Sequence, residues 1–139
     1  LHFPHRRPLV EDVVPFAQRK LCALVATNRT ATHPDQLYSE EQRAAEALAR
    51  IDPDSFDLFG MGWDRASHRN YRHVVLDKVD CLRRYRFALC YETVRGWNGY
   101  LTGKIFDCFA AGCVPVYLGA PNVADAIPPD CFVAREHFR

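Results

Sequence analysis

The chain lacks a long hydrophobic run, a marked excess of either charge, internal repeats and low-complexity segments. No apolar run approaches the roughly 20 residues that a membrane-spanning helix needs. The net charge is +1 over 139 residues, so no overall field attracts nucleic acid or an anionic membrane. We therefore expect no nucleic-acid partner and no membrane span in this chain, and any phosphate-binding site has to be built locally.

Paired cysteines are also missing, although six cysteines are present. None forms the C-x-x-C spacing of a typical zinc site. Cys22, Cys90 and Cys113 lie in or beside strand-like apolar runs, and Cys108 lies in a helical pattern. Free cysteine is among the most often buried residue types. We expect reduced, buried thiols, which favour a reducing compartment.

Acidic residues at metal-binding spacing occur once, in Asp52-Pro-Asp54. This stretch follows a predicted helix, and its proline presents the two carboxylates poorly. His68 and His73 lie in a polar, basic stretch without a carboxylate or cysteine at ligand spacing. The sequence therefore predicts no metal site.

What is present fits a single globular domain. The apolar share is 48% and the charged share is 25%, as in folded proteins of this size. The sequence does not begin with Met and stops soon after a strand-like stretch at 131–134. We expect it to be a piece of a longer protein.

Short apolar runs alternate with helical patterns along the chain. Continuous apolar strands are typical of a parallel sheet buried on both faces, and this alternation indicates an α/β fold. Ser39 and Gln42 have the spacing of a capping box, and Gly112 follows a helical pattern at the usual left-handed cap. The predicted strands are 21–26, 56–59, 86–92 and 114–118, and the predicted helices are 39–50, 76–84 and 103–111, with one helical turn at 124–128.

Ligands of parallel α/β sheets bind at the carboxyl ends of the strands. In this sequence those ends are predicted at 27–29, 60–63, 92–100 and 119–122. The site is therefore expected to be assembled from these four segments.

Three stretches carry a family resemblance: Tyr85-Arg-Phe-Ala-Leu-Cys-Tyr-Glu92, then Gly99-Tyr-Leu-Thr-Gly-Lys-Ile-Phe-Asp107, then Ala110-Ala-Gly-Cys-Val-Pro-Val-Tyr-Leu-Gly-Ala-Pro-Asn122. They closely resemble the donor-binding core of the α-1,3-fucosyltransferases, glycosyltransferase family 10. The resemblance is weak before residue 37 and strong from 78 to 138. It implies a Rossmann-like parallel sheet flanked by helices, the C-terminal half of a GT-B glycosyltransferase. Residues 1–139 would be one nucleotide-sugar-binding domain without the N-terminal acceptor domain.

The resemblance implies inverting transfer of fucose from GDP-fucose to a hydroxyl of a glycan acceptor, with no metal or other cofactor. The general base would lie in the N-terminal half, so no catalytic residue is assigned in this chain. Two alternatives stay open: a degenerate, non-catalytic nucleotide-binding domain, or a transferase for another nucleotide sugar. The compartment would be the cytoplasm for a bacterial source and the Golgi membrane for a eukaryotic one.

Lys104 is the strongest candidate for donor binding. It lies in the first turn of a predicted helix, where the helix dipole disfavours a cation unless an anion binds there. The resemblance matches Lys104 to a lysine that contacts the donor diphosphate and Tyr100 to a tyrosine that bonds a donor phosphate. Glu92 matches the family glutamate beside this site.

Two positions depart from the family pattern. Thr93 replaces an asparagine and loses its planar amide. Gly103 replaces a glutamate that, in the family, bonds the ribose hydroxyls. Thr102, which directly precedes Gly103, is expected to be the N-cap and could also face a phosphate.

Arg29 and Arg43 are candidate phosphate clamps, because arginine binds phosphate in bidentate geometry. Arg29 follows the first predicted strand. Arg43 ends the stretch Leu37-Tyr-Ser-Glu-Glu-Gln-Arg43, which resembles a Leu-Tyr-x-x-Arg pattern of bacterial relatives.

Overall fold

The computed structural model describes residues 14–135. Five strands and four α-helices alternate along them. The strands are β1 (Lys20–Val25), β2 (Phe56–Phe59), β3 (Tyr85–Tyr91), β4 (Val114–Leu118) and β5 (Val133–Ala134), and the helices are α1 (Tyr38–Ile51), α2 (Lys78–Leu82), α3 (Lys104–Ala111) and α4 (Val123–Ala126).

The strands form one parallel sheet in the order β2-β1-β3-β4-β5. Because every strand runs the same way, all five carboxyl ends meet at one edge. The predicted α/β fold with a parallel sheet and flanking helices is confirmed. Within residues 14–135, no helix is long and apolar enough to cross a membrane.

Alternate residues of β1 face the two sides of the sheet, as the two-residue period of a strand requires. Cys22 and Leu24 pack with Ala45 of α1 on one side. Ala23 packs on the other side with the residues of α2 and α3, including Leu82 and Ile105. The sheet is therefore buried between α1 on one face and the α2–α3 pair on the other, which explains the continuous apolar runs.

The start of α1 differs from the prediction. The helix begins at Tyr38, and Ser39 lies inside its first turn and is not its N-cap. The side chain of Gln36 holds this end instead: its Oε1 accepts from the Ser39 amide at 3.1 Å, and its Nε2 donates to Ser39 Oγ at 2.8 Å. Gln42 donates to Asn28 Oδ1 at 2.7 Å. The capping box is wrong because both of its side chains have partners outside the motif.

The end of α3 is as predicted. Gly112 has φ of +68° and caps the helix in the left-handed conformation, where a side chain is disfavoured. Its carbonyl accepts a hydrogen bond from Arg19 Nη1 at 2.6 Å. The turn thus leads directly into β4 and fixes the position of α3 on the sheet.

The six cysteines are free, but not all are buried. Four are buried, as expected, and burial raises the pKa of the Cys22 thiol to about 12. Cys81 is half-buried and Cys131 is exposed. The expectation of uniformly buried thiols is wrong for these two, because Cys81 lies at the margin of the core and Cys131 lies in an exposed turn before β5.

Thiol labelling under native conditions should separate these classes. We expect a neutral alkylating reagent to modify Cys131 quickly and Cys81 slowly, because only exposed thiolate reacts. The four buried thiols should react only in denaturant. Cys131→Ser should abolish the fast phase in a time course followed by mass spectrometry, and a fast phase that survives this substitution would contradict the structure.

Candidate functional site

A cleft with a volume of about 370 Å³ opens at the carboxyl edge of the sheet. It lies where the ends of β1 and β2 meet the first turns of α1 and α3. Its lining includes Thr27 and Arg29 after β1, Tyr38 and Glu41 of α1, Met61 after β2, Val74 and Val75 before α2, Thr93 after β3, and Lys104 of α3.

Lys104 reaches this cleft from the first position of α3. Its Nζ donates to the Tyr91 carbonyl at 2.8 Å. The N-cap of α3 is Gly103, so the expectation for Thr102 is wrong by one residue. The Thr102 hydroxyl oxygen still accepts a long hydrogen bond of 3.4 Å from the Lys104 amide. The ammonium group is thus anchored to the end of β3.

Glu92 is completely buried and binds Thr102. One carboxylate oxygen accepts from the Thr102 amide at 2.8 Å and the other accepts from its hydroxyl at 2.6 Å. Both bonds join the end of β3 to the residue that precedes the cap of α3. Glu92 therefore orients the start of α3, and its carboxylate does not line the cleft.

Gly119 makes the space that Glu92 occupies. A Cβ added at Gly119 would lie 2.5 Å from Glu92 Cγ and 2.8 Å from the Tyr117 hydroxyl oxygen. That hydroxyl accepts from the Ala120 amide at 3.1 Å. Only glycine allows this approach between the ends of β3 and β4.

Tyr100 lies behind the cleft wall. Its hydroxyl and Thr93 Oγ1 are 2.7 Å apart, and Thr93 itself lines the cleft. The Thr93 carbonyl also accepts from the Leu37 amide at 3.0 Å, which ties the loop after β3 to the start of α1. Tyr100 and Thr93 are thus brought together as a pair, with Thr93 nearer the cleft.

The two candidate arginines are placed differently. Arg29 lines the cleft. The side chain of Arg43 is 70% exposed, pairs with Glu40 at 2.5 Å and does not line the cleft. Counted from Leu37, the Leu-Tyr-x-x-Arg spacing falls on position 41, which is Glu41. Successive residues of an α-helix are rotated by about 100°. Arg43, two residues after Glu41, therefore lies on the side of α1 that faces away from the cleft.

Glu41 is the cleft residue that the sequence reasoning missed. It is only 4% exposed, and burial raises the pKa of its carboxyl from 4.5 to about 7, against the opposing charges of Lys104 and Lys78. Its position four residues before buried Ala45 was the available signal, because residues at this spacing share a helix face. Among residues 14–135, no cluster of three or more His, Cys, Asp or Glu side chains could hold a metal ion.

The bridge between Glu92 and Thr102 can be tested by Thr102→Val. The substitution keeps the side-chain shape and removes one of the two bonds to a buried carboxylate, which should lower the free energy of unfolding by about 1–3 kcal/mol. Urea denaturation measures this difference. Thr30→Val, at an exposed threonine, is the control and should change little. Equal stabilities of the two variants would contradict the role assigned to the bridge.

Glu41 should make stability depend on pH. Because its pKa is higher in the folded state, folding is favoured most below pH 4.5 and stability is lost as the pH rises to about 7. Glu41→Gln removes this loss, so its stability advantage should grow over that range to roughly 3 kcal/mol and then level off. Urea denaturation from pH 4 to 8 measures it. Glu46→Gln, exposed on the same helix, should run parallel to the wild type; a Glu41→Gln curve that also does so would rule out the shifted pKa.

Comparisons with known proteins agree with this architecture. The family model described as glycosyltransferase family 10 (fucosyltransferase) C-term matches residues 17–139. Alpha-(1,3)-fucosyltransferase FucT of Helicobacter pylori is 31% identical over 137 residues, which make up 98% of this chain and 25% of that protein. A putative fucosyltransferase-like protein of Arabidopsis thaliana is 43% identical over 120 residues, 86% of this chain and 21% of that protein.

Solved structures show the same relation. A crystal structure of an α1,3-fucosyltransferase with GDP-fucose superposes with a TM-score of 0.68 and 29% identity, covering 91% of this chain and 33% of that one. The chain thus spans about a quarter of the length of the two relatives named above. From these matches, the chain belongs to the fucosyltransferases of glycosyltransferase family 10, in the part that the family's C-terminal model describes.

Proposed function

We propose that this chain is the donor-binding part of a fucosyltransferase, which transfers fucose from GDP-fucose to a hydroxyl of a glycan with inversion. The observation that carries the proposal is the placement of Lys104 at the N-terminus of α3, inside the cleft that Arg29 also lines. A helix N-terminus and two cations are suited to a diphosphate. The family membership supplies the sugar and the nucleotide.

The diphosphate would lie against the first turn of α3. Lys104 gives one hydrogen bond to the Tyr91 carbonyl, and an ammonium group has three donors, so it can bind phosphate without leaving its place. Charge that develops on the departing diphosphate would be stabilised by Lys104 and Arg29, without a metal ion. Glu92 and Thr102 would act as positioning residues, because they fix the helix that carries Lys104.

Thr93 and Tyr100 would form the wall beside the donor. Thr93 lines the cleft, and its hydroxyl is hydrogen-bonded to the Tyr100 hydroxyl. A phosphate of the nucleotide sugar that binds one hydroxyl would therefore also affect the other. We assign no general base among these residues; that group is proposed for an N-terminal half of the complete enzyme. The compartment follows the source, with the cytoplasm proposed for a bacterial enzyme and the Golgi membrane for a eukaryotic one.

A second function is favoured by Gly103. No atom lies within 4 Å of a Cβ built there, so the space that a glutamate would fill is open and no side chain from position 103 reaches a ribose. A non-catalytic nucleotide-binding domain, or a transferase for another nucleotide sugar, would tolerate this loss. The two functions differ in whether a glutamate at position 103 would tighten GDP binding.

Nucleotide binding tests the proposal. We expect GDP to raise the melting temperature more than UDP does, because a ligand stabilises the folded state that binds it. Lys104→Ala and Arg29→Ala should each weaken GDP by about tenfold or more, since each removes a charged contact. Arg43→Ala is the matched control and should bind as the wild type does. Equal shifts with GDP and UDP, or none at millimolar GDP, would remove the donor assignment.

Gly103→Glu distinguishes the two functions. Gly103 has a right-handed helical backbone, φ −65° and ψ −8°, and open space around it, so the substitution should fold normally. In a fucosyltransferase donor site the new carboxylate should regain ribose bonds and tighten GDP by about tenfold or more. Unchanged or weaker GDP binding in a stable Gly103→Glu variant would favour the non-catalytic domain.

A further inference from the structure

Glu41 is a buried carboxylate that the proposed mechanism does not use. It is 4% exposed, it lies in the first turn of α1, and it lines the same cleft as Lys104 and Arg29. Burying a carboxylate is costly unless hydrogen bonds or cations compensate. The position therefore calls for a partner.

The protein does not supply that partner. Among residues 14–135 no group donates a hydrogen bond to the Glu41 carboxylate, and the Glu41 amide donates to the carbonyl of the N-cap residue Leu37 at 3.0 Å. Lys104 and Lys78 act on it electrostatically, but neither donates a hydrogen bond to it: Lys104 Nζ donates to the Tyr91 carbonyl at 2.8 Å, and Lys78 Nζ lies 3.9 Å from Asp107. The carboxylate oxygens thus remain free to accept hydrogen bonds from a molecule in the cleft.

The chemistry of the free acceptor narrows the ligand group. A carboxylate repels phosphate and accepts strongly from hydroxyl groups, and vicinal hydroxyls can engage both of its oxygens. The cations of the cleft, Lys104 and Arg29, can bind the phosphates of a ligand. Glu41 is suited instead to a group that donates hydrogen bonds, such as a hydroxyl. A nucleotide sugar carries both kinds of group on adjacent parts of one molecule.

We infer that Glu41 is a ligand-binding residue that accepts hydrogen bonds from hydroxyl groups of the bound nucleotide sugar. This inference rests on the proposed function and adds a residue to the site. The hydroxyls belong either to the ribose or to the transferred sugar, and both sources present the same vicinal chemistry to the carboxylate. Glu41 then discriminates between ligands with and without those hydroxyls.

Two substitutions of similar size test the inference. Glu41→Gln keeps one neutral acceptor oxygen, and Glu41→Leu removes all acceptors while filling the same volume. Binding of GDP, 2′,3′-dideoxy-GDP and GDP-fucose is measured by calorimetry for the purified protein, with Glu46→Gln as the control on the same helix. Circular dichroism and urea denaturation confirm that each variant folds.

For a ribose source, we expect GDP binding to weaken in the order wild type, Gln, Leu, with a loss of about ten- to a hundredfold for Leu. Dideoxy-GDP should bind wild type and both variants alike, because it lacks the hydroxyls. For a sugar source, the same ordered loss should appear with GDP-fucose and not with GDP. Either pattern supports the inference and identifies the source.

Other results overturn it. If both variants bind GDP and GDP-fucose more tightly than the wild type, Glu41 only repels the diphosphate; if binding is unchanged, Glu41 does not contact the ligand. In both cases the proposed function stands as long as Lys104→Ala still weakens GDP. If the wild type binds none of the three ligands, the proposed function is overturned together with the inference. Weaker GDP binding by Lys104→Ala is therefore the result that separates failure of the inference alone from failure of both.

Discussion

The buried bridge from Glu92 to Thr102 is the constraint on which the site depends. It fixes the beginning of α3 against the end of β3, with both carboxylate oxygens used. Lys104 follows Thr102 by two residues, so the bridge also determines the position of Lys104. Gly119 is required for the same reason, because a side chain there would occupy the volume of the Glu92 side chain. The bridge therefore joins the end of β3 to the start of α3 at the edge of the sheet where the cleft opens.

The fold was predictable because its signals are local. A strand buried on both faces has to be apolar throughout, and a helix that ends in a left-handed turn favours glycine, so β1 and Gly112 could be identified from neighbouring residues alone. The start of α1 could not, because Gln36 and Asn28 compete for the capping side chains from outside the motif. Ile51, the last residue of α1, is 78% exposed although it is apolar, so hydrophobicity alone does not identify which side chains of the helix are buried.

The site was predictable in part. Lys104, Thr93 and Arg29 follow strand ends or open a helix, and parallel topology alone brings such positions to one edge. Burial and pairing decide the rest, and these depend on residues far apart in the chain. Glu92 is hydrogen-bonded to Thr102 inside the protein, and Arg43 forms an ion pair with Glu40 at the surface. The role of Glu41 was not predictable, because an acidic residue in the first turn of a helix is usually explained by the helix dipole. Its burial depends on the fold.

The cleft combines charges of both signs, although the chain as a whole is almost neutral. Two cations, Lys104 and Arg29, and one acidic side chain, Glu41, line a volume of about 370 Å³, so groups of opposite charge face the same small volume. A uniformly basic cleft would bind any phosphate, whereas under the proposed function this arrangement would favour a molecule that carries both phosphates and hydroxyls. The absence of a side chain at Gly103 makes that match depend more heavily on α1. Selectivity in this domain would then reside in the first turns of two helices that approach the cleft from opposite faces of the sheet.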